Sequence, residues 1–358
     1  MSKRPYNFYA GPAILPLDVM KKIQKEFLDF DGTGLSIVET SHRSKGFDTV
    51  MKQARERTKK IMNISDDYHV VFLQGGASLQ FSMVAMNFMN GKKADYIHTG
   101  EWAKKAIKEG KTVGDVNIAA SSEDKKFSCV PDTYNFSSDA QYVHLTSNET
   151  INGIQFQAFP DTGNVPLVAD MSSDIMSRKI NVNQFKMIYA GAQKNIGTSG
   201  VTLVVIHKDM VTRENAKLPT MLKYSTHIEK ESLYNTPSVI GIYIVNLVLG
   251  WIVDNGGMEA IEKTNNEKAA VLYDYLDSTE FYYGLAEKQS RSKMNIVFRI
   301  KNNDLEDQFV EQAKANGFIG IKGHRSLGGL RASIYNAFPL EGVKDFISFM
   351  KDFEKKNG

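Results

Sequence analysis

Between about residue 65 and residue 210, short β-rich runs alternate with helical patterns, and this alternation restricts the fold more than any other feature of the chain. Strands separated by crossover helices pair in parallel, which predicts a layered α/β architecture. Residues 70–73 read as a strand, 74–78 as a turn, and 79–89 as a helix with apolar residues at helical spacing. Residues 96–98, 142–146, 166–169, 187–189 and 201–206 read as further strands, with Trp102 heading the helix after 96–98. The polar clusters fall just past strand ends: Gly75-Gly76-Ala77-Ser78, the stretch around Thr150, then Asp170, then Lys194. In open α/β sheets that edge is where ligands bind. A long apolar helix at 239–253 is followed by a smaller α+β pattern, with helices at 258–277, 305–316 and 340–355 and strands at 295–300 and 330–334. Asn255-Gly256-Gly257 reads as a helix C-cap at the junction, and 358 residues suit two domains.

Composition narrows the class. Hydrophobic residues at 42% and charged residues at 24% are globular values, which excludes disorder and fibrous repeats. A net charge of +3, with lysine pairs scattered along the chain, gives no expectation of a nucleic-acid partner. One cysteine, Cys129, cannot form an intramolecular disulfide and fits a reducing compartment. The N-terminal residues lack the apolar core of an export signal, and the 239–253 stretch is broken by Gly241, Asn246 and Gly250. A cytoplasmic location without a membrane partner is expected. No histidine is paired at metal-ligand spacing, so no metal is expected.

Three positions past the strand ends invite chemistry. The Gly75–Ser78 turn offers unhindered N–H groups at a helix start, either a phosphate cradle or a tight strand-to-helix turn. Asp170 follows an apolar strand, so its carboxylate either meets a cation such as a protonated heterocycle nitrogen or caps the next turn. Lys194 stands among small residues, Ala190-Gly191-Ala192 before it and Gly197 after it, which suits a Schiff-base lysine or an exposed turn. Together with Trp102 and Thr150, these residues supply what pyridoxal 5'-phosphate needs: phosphate held, ring stacked, phenolic oxygen bonded, ring nitrogen paired and aldehyde condensed.

A resemblance extends this reading. Phe8-Tyr9-Ala10-Gly11-Pro12-Ala13, Ser41-His42-Arg43-Ser44, Gly75-Gly76-Ala77-Ser78, Asn148-Glu149-Thr150-Ile151-Asn152-Gly153, Gln193-Lys194-Asn195, Tyr234-Asn235-Thr236-Pro237 and His324-Arg325-Ser326-Leu327-Gly328-Gly329-Leu330-Arg331 occur in order along the chain. They closely resemble the phosphoserine aminotransferases, a family of class V, fold type I, pyridoxal-phosphate enzymes. The resemblance implies a large cofactor-binding domain at 16–256, with a mostly parallel seven-stranded sheet flanked by helices. It also implies a smaller α+β domain from 1–15 and 257–358.

By the same resemblance Lys194 is the Schiff-base lysine, Asp170 the partner of the ring nitrogen, Trp102 the stacking ring and Thr150 the phenolic-oxygen contact. Ala77, Ser78 and Gln193 hold the cofactor phosphate. Asn235 and Thr236 reach the cofactor phosphate of a neighbouring subunit, which implies a homodimer with shared sites. Arg331 takes the α-carboxylate of the substrate. His42, Arg43, His324 and Arg325 form a cationic pocket for the phosphate of 3-phosphohydroxypyruvate or the distal carboxylate of L-glutamate, with His42 and Arg43 crossing from the second subunit. The implied products are O-phospho-L-serine and 2-oxoglutarate, and the related four-carbon phosphonooxy substrate of pyridoxine biosynthesis fits the same pocket. A related desulfurase would need a reactive cysteine late in the chain, and Cys129 lies in the wrong half.

Overall fold

The computed structural model describes residues 4–358; Met1–Lys3, which belong to the N-terminal stretch and small domain read above, lie outside the described residues. Its centre is a sheet of β1 (Tyr68–Leu73), β2 (Lys93–His98), β3 (Asp115–Ser121), β4 (Val143–Thr146), β5 (Leu167–Asp170), β6 (Met187–Gly191) and β7 (Thr202–His207). The seven strands lie in the order β1-β7-β6-β5-β4-β2-β3. All run parallel except β7, which is antiparallel to both neighbours and sets Val204 opposite Val71 and Tyr189. The connection from β6 to β7 is too short for a crossover helix, so the chain turns straight back.

Both faces of the sheet are apolar because successive side chains point to opposite sides and both sides are covered. Val70, Phe72, Leu203, Val205, Ile188 and Ala190 join one core with helices Lys45–Met62 and Val239–Asp254. Their sequence neighbours Val71, Leu73, Val204, Ile206, Met187 and Tyr189 pack on the other side with helices Gly76–Phe88 and Glu101–Gly110. Helix Val239–Asp254 is apolar on nearly every side because it is buried; among the described residues no single helix is long and apolar enough to cross a membrane.

Several boundaries differ from the sequence reading. Helix Gly76–Phe88 begins three residues ahead of Leu79, so Ala77 and Ser78 occupy its first turn. The preceding Gly75 has φ +90, and a Cβ there would lie 2.5 Å from Leu79 Cδ2. Only glycine permits that approach. Helices Leu17–Glu26 and Lys45–Met62, and the polar edge strand β3, are absent from the sequence reading.

A third core joins Phe8 and Ile14 to Leu272, Phe298, Phe309, Ala332, Phe346 and Phe353. Here Tyr282–Gly284, Asn295–Ile300 and Leu330–Ser333 form a three-stranded antiparallel sheet. The N-terminal segment belongs to this core: Tyr6–Asn7 pairs in parallel with Phe318–Ile319, and the Phe8 and Phe338 rings lie 4.3 Å apart. Helix Gly257–Ser278 contributes Met258 and Ile261 to the first core and Ala269 and Leu272 to this third one.

Within that helix Lys268 is wholly buried, donating to the carbonyls of Ile334 at 2.9 Å and Tyr335 at 2.7 Å. Burial pulls its pKa from 10.5 down to about 7. Between those values the unfolded chain holds more protons than the folded one, so protonation of Lys268 opposes folding and stability rises with pH across the window. Lys268→Met is expected to flatten the rise in unfolding free energy between about pH 7 and about pH 10, read by denaturant titration. A variant that keeps the wild-type slope contradicts this account.

Candidate active site

The carboxyl ends of β1, β2, β4, β5 and β6 carry the sequence-predicted positions. Asp170 closes β5 and is 4% exposed. Its Oδ1 accepts the Ser172 N–H at 2.9 Å and the Ser172 hydroxyl at 2.6 Å. Burial raises its pKa above the ordinary carboxylate value, with the Ser172 bonds and the Lys194 charge opposing. A desolvated carboxylate anchored through one oxygen is matched to a cationic ligand group.

Lys194 follows β6 in the turn toward β7. Its Nζ donates to Thr150 Oγ1 at 3.0 Å and lies 5.3 Å from the centre of the Trp102 ring. Burial lowers its pKa to about 8, an effect opposed by Asp170 and reinforced by Arg331. An amine so tuned is available as a free base close to neutral pH. Thr150, which receives it, sits in the turn between the short paired strands Asn148–Glu149 and Ile154–Gln155.

Arg331 reaches the same place from strand Leu330–Ser333, donating Nη1 to the Thr150 carbonyl at 3.3 Å. Its Nε is buried without a hydrogen-bond partner. A guanidinium with an unmet buried donor is suited to an anion that takes two bonds at once. His324 is close by in charge: burial first, then Arg331, Arg325 and Lys105, lowers its pKa. Its Nδ1 is paired with the Ser326 hydroxyl at 2.7 Å. Arg331, Arg325 and Lys105 thus surround a neutral His324 with positive charge, and Arg331 acts on Lys194 as well.

The remaining predicted positions are not bonded into this group. His42 is half-buried and Arg43 exposed on the loop ahead of helix Lys45–Met62. Asn235 and Thr236 are exposed, and the Thr236 carbonyl accepts from the Gln74 side chain at 3.0 Å. Ala77 and Gln193 are half-buried and Ser78 is exposed. The first turn of helix Gly76–Phe88 lacks a side-chain cap, which leaves its N–H groups open to an anion.

Three residues of this neighbourhood escaped the sequence reading as individual contributors. Ser172 holds Asp170 twice and also accepts the Gly191 N–H at 3.0 Å, tying the end of β5 to β6. Its signal is Asp-x-Ser, in which the Asp side chain accepts from the backbone two residues on. Glu149 and Asp174 are buried carboxyls, the latter bonded to Ser147 and, at 3.0 Å, to Gln155. Nothing in the local pattern distinguishes them from loop charge. A cleft of about 620 Å³ lies beyond Asp174, lined by Met171, Met176, Arg178 and Met258, but includes neither Lys194 nor Trp102. Volume alone does not mark the chemistry in this molecule.

The chain matches the Aminotransferase class-V family over residues 5–346. It is 53% identical to the phosphoserine aminotransferase of Desulfosudis oleivorans, with all of both chains covered. Among solved structures, the phosphoserine aminotransferase from Bacillus circulans subsp. alkalophilus superposes with a TM-score of 0.98 at 50% identity, again over the whole of both chains. The pyridoxal-phosphate-bound phosphoserine aminotransferase from Trichomonas vaginalis does so at 0.92 and 37%, covering 97% of this chain and 100% of that one. Likeness that spans all three cores, at half the residues identical, leaves no segment outside the match on which a different fold could rest, and the chain belongs to the class-V aminotransferases.

Proposed function

We propose that this chain is a pyridoxal-phosphate-dependent aminotransferase that passes the amino group of L-glutamate to 3-phosphohydroxypyruvate, giving O-phospho-L-serine and 2-oxoglutarate. The observation that carries the reading is the pairing of a buried, partly anchored Asp170 carboxylate with a weakened Lys194 amine at neighbouring strand ends. The full-length relatives named above support the substrate pair.

The residues present fit the cofactor. Asp170 offers its ring nitrogen a buried negative charge, Trp102 a flat apolar surface, Thr150 a hydroxyl and Lys194 an amine; Ala77, Ser78 and Gln193 line the end suited to its phosphate. When bound, pyridoxal phosphate supplies the carbonyl that carries amino groups and the ring that takes up the electron pair released from the α-carbon. As general base and then acid, Lys194 would take the α-proton of the amino donor and deliver it to the carbonyl carbon of the cofactor, and would run the same transfer backwards for the acceptor, which a pKa of about 8 favours in both directions. A cationic ring nitrogen would favour the ionised form of Asp170, which in turn would keep the proton on that nitrogen. Arg331 orients the α-carboxylate, so that the α C–H bond is presented to the lysine. The positive charges of Arg325 and Lys105 around His324 suit a phosphate or a second carboxylate, the acidic group that each substrate carries besides its α-carboxylate.

The reading includes a cytoplasmic homodimer with shared sites, since His42, Arg43, Asn235 and Thr236 are free to serve a neighbouring subunit. It divides the chain into a cofactor-binding domain at 16–256 and a smaller domain from 1–15 and 257–358.

The decisive measurement is a visible spectrum of the cofactor-loaded protein. Glutamate is expected to bleach the yellow band and 3-phosphohydroxypyruvate, but not pyruvate, to restore it. A band that ignores glutamate removes the donor assignment, and restoration by pyruvate removes the phosphate selectivity. Asp170→Asn, which keeps the shape and deletes the charge, is expected to lower kcat by about 10²-fold or more while cofactor still binds. Arg331→Lys is expected to raise KM for glutamate by about 10- to 100-fold, the worth of one charge-assisted hydrogen-bonded fork. Equal losses in kcat and no change in KM for Arg331→Lys would contradict a carboxylate-binding role.

A further inference from the structure

Helix Glu101–Gly110, which carries Trp102, has no side-chain cap of its own because its N-cap is Gly100. The donors of its first turn are taken instead by a residue far along the chain. Glu149 Oε2 accepts the Trp102 N–H at 3.2 Å and Oε1 accepts the Ala103 N–H at 2.9 Å. Gly100 makes that approach possible: a Cβ at this position would lie 2.7 Å from the Glu149 carboxyl carbon. The carboxylate is 1% exposed and spans both oxygens, the arrangement that stabilises a helix N-terminus most.

The other side of Glu149 faces the turn that holds the amine. Its carbonyl accepts the Gly153 N–H at 2.9 Å and closes that turn. The next residue, Thr150, takes Lys194 Nζ on its hydroxyl and Arg331 on its carbonyl. One side chain thus joins the helix of Trp102 to the turn on which Lys194 and Arg331 converge. The 5.3 Å separation between the Lys194 amine and the Trp102 ring is set across this joint.

We propose that Glu149 is a positioning residue of the active site, fixing the Trp102 ring against the Lys194 amine by capping the N-terminus of helix Glu101–Gly110 from the Thr150 turn. Glu149 touches neither reacting atom; it acts through Trp102 and Thr150. Burial raises its pKa to about 7, with the two backbone bonds and Lys194 opposing. The groups facing it are therefore the Trp102 and Ala103 N–H donors, the Lys194 ammonium and the Asp170 carboxylate. Because the closed joint holds this proton more tightly than an exposed carboxyl would, ionising Glu149 between the ordinary carboxylate range and about pH 7 weakens the joint, and the two N–H bonds offset part of that cost.

The part of this inference that concerns ligand binding rests on the cofactor reading above, and the test separates the two. In the cofactor-free protein, Glu149→Gln keeps the size of the side chain but turns one acceptor into a donor that opposes an N–H. Amide exchange at Trp102 and Ala103 is expected to accelerate at least about tenfold, a loss of about 1.4 kcal/mol, while helix Glu306–Ala315 stays unchanged. With Trp251→Phe leaving Trp102 as the sole indole, its emission is expected to shift to the red in the Glu149→Gln background. Gly100→Ala, which pushes the carboxylate away, is expected to reproduce both changes. Titrated with pyridoxal phosphate, Glu149→Gln is expected to bind about tenfold more weakly than wild type. Unchanged exchange and emission overturn the proposal. Faster exchange with unaltered cofactor affinity also overturns it, since Glu149 then serves the helix and not the site. A wild-type protein that takes up no cofactor sinks the functional reading instead, and the proposal is then decided by the exchange and emission alone.

Discussion

The carboxyl edge of the sheet depends on keeping two opposite charges out of water at neighbouring strand ends. Asp170 and Lys194 each suffer from burial, and each reduces the other's cost by its charge. Neither is given a full partner. Asp170 has Ser172 on one oxygen, and Lys194 has the Thr150 hydroxyl, a neutral acceptor. Had the two formed a closed ion pair, both would be spent on structure. Without a hydrogen bond between them each keeps unsatisfied capacity, which is what a charged ligand can use.

The surrounding fold makes that arrangement possible. Parallel strands with both faces covered place five chain segments at one edge and exclude water from the strand interiors. The reversal at β7 then matters locally. Because β6 returns at once into β7, Lys194 sits on a tight turn pinned by the Ala192 N–H to the Val201 carbonyl at 2.9 Å, and not at the head of a crossover helix. A lysine on such a turn is held by the backbone on both sides, while the residues after β1 enter a helix whose first-turn donors remain available.

Much of this was readable in the chain. The strand-by-strand alternation, the small residues around Lys194 and the placement of Asp170 after an apolar run follow from local chemistry, and the structure has them at strand ends. The mostly parallel seven-stranded sheet was implied by the resemblance and is present. What could not be read had a physical reason in each case. Helix Lys45–Met62 is rich in Lys, Arg and Glu on its outer face, so its buried stripe of Phe47, Val50, Met51 and Ala54 was diluted in the sequence. Strand β3 lies at the sheet edge, half exposed, and lacks the apolar run that marks its neighbours. Glu149 acts through contacts set by tertiary structure, of which periodicity carries no trace, whereas Ser172 left the local Asp-x-Ser pattern. His42, Arg43, Asn235 and Thr236 came from the resemblance alone, and within one chain no hydrogen bond or ion pair among the described residues joins them to Lys194 or Asp170.

The pairing of Tyr6–Asn7 with Phe318–Ile319 also has a consequence in time. On a ribosome adding about 5–20 residues per second, the first strand waits roughly fifteen to sixty seconds for its partner to be synthesised. Meanwhile Phe8 and Ile14 have no core to enter, and the stretch that bonds Ala13 to the Gln193 carbonyl has nothing to hold its other end. The lysine turn can therefore form early but receives its N-terminal cover only when the last helices arrive, so the birth of a closed active site is tied to the completion of the chain.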